Sequence, residues 1–73
     1  MKSNGSYAAR YFREMQRMTS LLQDIYTPIQ AVEWLVKKHT LLDGQSPSQL
    51  IAQGRTEEVE HLIEQLRDGD QFT

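Results

Sequence analysis

The chain has 73 residues, no cysteine, 38% hydrophobic residues and a formal net charge of −2. That is one small domain, whose unaided core seldom supplies more than about 3–5 kcal/mol. Disulfides and thiolate metal sites are excluded, which leaves self-association or a protein partner as the extra source of stability. A chain this small leaves little room for a ligand pocket of the usual size, so an enzyme is not expected. Residues 1–38 carry +3 and residues 39–73 carry −5. A basic front and an acidic rear suit head-to-tail contact or a basic partner surface.

Ser3, Asn4 and Gly5 favour irregular backbone, so residues 1–5 read as a flexible start, with Ser6 as a cap for the first helix. Tyr7, Tyr11, Met15, Met18, Leu22 and Ile25 recur at helical spacing and fall within an arc of about 80°. This predicts an amphipathic helix of about five turns. The exposed side of Tyr7, Tyr11, Met15 and Met18 is the expected self-association surface, because one short helix would otherwise leave a large apolar stripe. Arg10, Arg13 and Arg17 occupy a separate face and are the candidate nucleic-acid contacts.

Thr27-Pro28 starts a second helix, with proline at the first helical position and Gln30 at capping-box spacing. Ile29, Val32, Leu35 and Val36 are its expected buried stripe, with Trp34 adjacent. Lys37, Lys38 and His39 follow at the negative end of the helix dipole. Asp43-Gly44 marks a turn, and Ser46-Pro47-Ser48-Gln49 repeats the capping device before a brief third helix with Leu50, Ile51 and Ala52. Gly54 suits a left-handed helix end. Thr56 reads as the cap of a fourth helix, with Glu57 and Glu58 at its positive end and Val59, Leu62, Ile63 and Leu66 as its core stripe. Asp68-Gly69-Asp70 stops it, and Gln71, Phe72 and Thr73 form a tail. No segment alternates with period two, so the expected fold is all-α, with a long N-terminal helix over residues 1–27 and a compact three-helix part over 28–73.

Chemistry-bearing patterns are sparse. His39 and His61 are the only histidines, and no HExxH pattern accompanies them, so no metal site and no cofactor are expected. No serine lies in a Gly-x-Ser-x-Gly setting, and the glycines at 5, 44, 54 and 69 form no phosphate loop. Glu57, Glu58, Glu60 and Glu64 read as a solvated face. The second helix is too apolar to serve as the recognition helix of a helix-turn-helix. No apolar run approaches the roughly 20 residues of a membrane span, and no signal core opens the chain, so a soluble cytoplasmic protein is expected.

From residue 28 the pattern becomes specific. Trp34-Leu35, then Leu42-x-Gly44-x-x-Pro47 leading to Leu50, then Gly54 and Val59, resembles the toxin-binding domain of the Xre/MbcA/ParS antitoxins over roughly residues 28–70. The same residues have structural roles without any family: Trp34 and Leu35 as packing anchors, Gly44 for the turn, Pro47 and Gly54 at the two ends of the short helix. The resemblance implies an antitoxin that binds a RES-domain, NAD-consuming toxin and blocks its active site. It also implies that Asp68, Gly69, Asp70, Gln71, Phe72 and Thr73 make the blocking contact. Members of that family usually carry an N-terminal helix-turn-helix domain. Here about 27 residues precede the match and read as one helix, consistent with a minimal antitoxin, a stand-alone domain or a fragment. The alternative function is a small dimeric DNA-binding regulator that uses the arginine face of the first helix.

Overall fold

A computed structural model describes residues 3–69, with side chains from Ala8 onward. Four α-helices and one 3₁₀ turn follow in order: α1 (Ser3–Leu22), α2 (Pro28–Val36), the turn Thr40–Leu42, α3 (Pro47–Ala52) and α4 (Thr56–Asp68). The all-α expectation holds, and the described residues contain no strand. A lone antiparallel bridge between His39 and Gln45 closes the turn.

Local chemistry sets most helix ends. Thr27 accepts a hydrogen bond from the Gln30 amide, while the Gln30 side chain accepts one from the Thr27 amide. Ser46 and Gln49 repeat that reciprocal pair at the start of α3. In both helices a proline stands at the first position, where its missing N–H costs nothing. Ser46 is buried and its hydroxyl also meets that of Ser48 at 3.0 Å. Ser46→Ala is therefore expected to cost about 1–2 kcal/mol and to lower the melting temperature by roughly 4–8 °C for each kcal/mol lost. Thermal unfolding followed by circular dichroism checks this; an unchanged midpoint would refute the cap's contribution.

Four ends differ from expectation. α1 already includes Ser3, Asn4 and Gly5, three residues before the expected Ser6 cap, since each added helical residue gains one backbone bond. α1 stops at Leu22 and not at Ile25, because Pro28 holds Thr27 in extended backbone and the chain must leave the helix first. The second helix likewise stops at Val36, with Lys37 extended beyond it. Thr56 is the first residue of α4 and makes no cap; Arg55 holds that position without a side-chain cap bond.

Met18, Leu22, Ala31, Leu35, Leu50, Ile51, Val59 and Ile63 form one buried cluster, with Tyr11, Met15, Leu21, Tyr26, Trp34 and Leu42 packed around it. Each of the four helices contributes, so the core crosses the boundary at residue 27. The expected α2 stripe is largely wrong. Leu35 is buried, but Ile29, Val32 and Val36 are exposed, and Ala31 takes the inward position. α2 is apolar over more than half its circumference, and α1 and α3 pack against the Ala31–Leu35 side, where a small residue lets the helices approach.

Candidate partner-binding surfaces

The C-terminal end of α4 is built from the helix outward. Glu57 and Glu58 lie at its positive end and Arg67 in its last turn, both favourable with the helix dipole. Gly69 turns left-handed at φ 79°, and its amide donates to the Gln65 carbonyl at 3.2 Å. A side chain there would strain the backbone, so glycine defines where the helix stops. Arg67 reaches across to Asp24 at 2.6 Å and ties this end to the α1–α2 connection. Asp24, Ile25, Glu64, Arg67 and Asp68 surround a hollow of about 330 Å³. Carboxylates outnumber the single arginine, so this end of the molecule offers negative charge to a partner. Asp68 and Gly69 are thus placed; Asp70, Gln71, Phe72 and Thr73 lie outside the described residues.

A second surface lies between the 3₁₀ turn and α4. Leu41, Leu42, Glu57, Glu58, His61, Leu62 and Gln65 line an open cleft of about 530 Å³. Leu41 is 71% exposed. The turn is held from both sides. His39 donates from Nε2 to the Trp34 carbonyl at 2.9 Å and packs its ring 4.7 Å from the Trp34 indole. A carbonyl can only accept, so that nitrogen carries a proton. Asp43, at φ 60°, and Gly44, at φ 79°, then complete the reversal. At the cleft's rim, Arg55 grips both oxygens of Glu58 at 2.7 and 2.8 Å. That hydrogen bonding holds the Glu58 carboxyl below its ordinary value. Sequence reasoning passed over this surface. Its signal was Leu41 beside Leu42 in a connection with no helical period, where only one of the two could face the core.

The arginine face of α1 is less available than its sequence implied. Arg17 bonds Glu14 at 2.8 Å and Glu60 of α4 at 3.3 Å. Those carboxylates, Glu14 foremost, raise its pKa further. Arg10 borders a hollow shared with Glu14, Glu57 and Glu58. Arg13 is exposed on the outer side. Acidic neighbours dilute the positive field that phosphate contacts need.

The α1 apolar stripe needs correction as a self-association surface. Met18 is fully buried, and Tyr11 and Met15 pack against the core, because α2, α3 and α4 cover that side of the helix. The Tyr7 side chain lies outside the described side chains. The residues of the family-like pattern take structural positions. Leu35, Pro47, Leu50 and Val59 are buried, and Leu42 is half-buried. Trp34 is only half-buried, so Leu35 is the stronger anchor. Gly44 and Gly54 have φ of 79° and 82°. Among the described residues no group of three or more His, Asp or Glu could hold a metal ion, and no helix is long and apolar enough to cross a membrane.

No family model and no solved structure matches the chain. Among curated proteins, it is similar to the probable mycobacterial cidal antitoxin Rv3188 of Mycobacterium tuberculosis, with 40% identity over 62 residues. That alignment covers 82% of this chain and 54% of the relative, so the chain spans about half the relative's length. The similarity extends over most of the helical core just described, and on that ground the chain belongs to the MbcA-like antitoxin family.

Proposed function

We propose that this chain is an antitoxin that binds a RES-domain, NAD-consuming toxin in the cytoplasm, occludes its active site and performs no catalysis of its own. The observation that carries the reading is the 40% identity to a protein described as an antitoxin. The physical character of the surface supports it. The second half of the chain is acidic, and the end of α4 gathers Asp24, Glu64 and Asp68 around a single arginine. Such a surface complements a positively lined nucleotide pocket. In this reading residues 68–73 enter the toxin, and the helical core positions them.

Co-expression with a RES-domain toxin encoded in the same genome tests the proposal. Cellular NAD and growth are expected to recover, and the two proteins are expected to co-purify. Unchanged NAD loss without co-purification would overturn the antitoxin reading. Rescue of an unrelated toxin class in place of the RES enzyme would overturn the partner assignment.

A further inference from the structure

The turn between α2 and α3 uses its two leucines in opposite ways. Leu42 packs against the core, while Leu41 beside it is exposed. The backbone that carries them is tightly tied. The amides of Leu42 and Gly44 donate to the His39 carbonyl, that of Asp43 to the Thr40 carbonyl and that of His39 to the Gln45 carbonyl, each at 3.0 Å. Leu41 is therefore an apolar side chain on a fixed backbone, and a partner that covers it orders little chain in doing so. It lines the cleft together with Leu42 and the buried Leu62.

The lining of that cleft also holds two carboxylates, Glu57 and Glu58, and no lysine or arginine. Both arginines of the second half of the chain are already engaged, Arg55 with Glu58 and Arg67 with Asp24. Glu57 makes no ion pair among the described residues. An apolar floor with an acidic rim suits an apolar side chain flanked by positive charge. The cleft also reaches to where the tail departs. Gln65 lines it, and the Gln65 carbonyl accepts the Gly69 amide that closes α4. Four helical residues, about 6 Å along the axis, separate the two. A protein that receives residues 70–73 would lie over this end of the cleft as well.

We propose that the cleft of Leu41, Leu62 and Glu57 is the docking site for a basic segment of the toxin, which sets an apolar side chain on the two leucines and a lysine or arginine against Glu57. The inference rests on the antitoxin reading and adds to it the contact that holds the two proteins together.

Biolayer interferometry of the full chain on immobilised RES-domain toxin from the same genome tests it, with NAD in co-producing cells as the second readout. Leu41→Glu is expected to weaken the Kd about tenfold or more, since it puts a carboxylate where the apolar contact is made. Glu57→Gln is expected to slow association and to flatten its dependence on salt. Both positions are exposed, so the helical circular dichroism should not change. Leu41→Glu with the parent's Kd, where the parent binds and rescues, would overturn the docking site and leave the antitoxin reading standing. No effect of Glu57→Gln on rate or salt dependence would overturn the basic character assigned to the segment. A fall in the chain's own mass by light scattering with Leu41→Glu, toxin binding being kept, would give the cleft to a second copy and overturn the proposal too. A parent chain that neither binds nor rescues would overturn both readings.

Discussion

Leu35→Ala is expected to destabilise the chain by about 3 kcal/mol, within the 2–5 kcal/mol typical of removing a buried leucine side chain. Leu35 is fully buried in the cluster with Met18, Leu22, Leu50 and Ile63. It lies on α2, which packs against both α1 and α3, so the cavity opens where three helices meet. A domain of this size has only about 3–5 kcal/mol to lose. The variant should therefore be substantially unfolded at temperatures where the parent chain is folded. Urea unfolding at fixed protein concentration measures the shift, and Glu33→Ala, exposed on the same helix, should stay within about 0.5 kcal/mol of the parent. A Leu35→Ala loss no larger than that control would mean that the helices do not close around this side chain.

Removing residues 70–73 is expected to abolish toxin neutralisation while leaving the fold intact. The truncation keeps Gly69, whose amide closes the last turn of α4 on the Gln65 carbonyl, and keeps Arg67 on Asp24. The helical signal and the unfolding midpoint should then match the full chain, so a loss of rescue reports on contact and not on folding. Asp70, Gln71, Phe72 and Thr73 carry one carboxylate and one large aromatic ring, a combination able to fill an apolar slot beside positive charge. NAD measured in cells that also produce the toxin gives the readout. Full rescue by the truncated chain would move the occluding contact onto the helices, with the cleft of Leu41, Leu62 and Glu57 the next surface to mutate.

The sequence by itself determined much of the punctuation of this protein, though not the two ends of α1 or the cap of α4. The capping boxes at Thr27 and Ser46, the prolines that follow them and the left-handed turns at Gly44, Gly54 and Gly69 all stand where they were read. Each depends on atoms within three or four residues, so no distant neighbour was needed. Most of the α4 core stripe was equally legible: Val59, Leu62 and Ile63 are buried as expected, because Glu57, Glu60, His61 and Glu64 leave a single apolar side to bury, while Leu66 in the last turn is only half-buried. The family pattern was also in the sequence, since it consists of those same turns and anchors in order. Tertiary structure alone decided which way α2 faces. Its periodicity offered two apolar sides, and packing chose Ala31 and Leu35 over Ile29, Val32 and Val36. Likewise, only packing turned Met18 inward, set Arg17 against Glu60 and left Leu41 beside α4. Helical periodicity sorts side chains around an axis, but which sector is covered depends on helices distant in sequence.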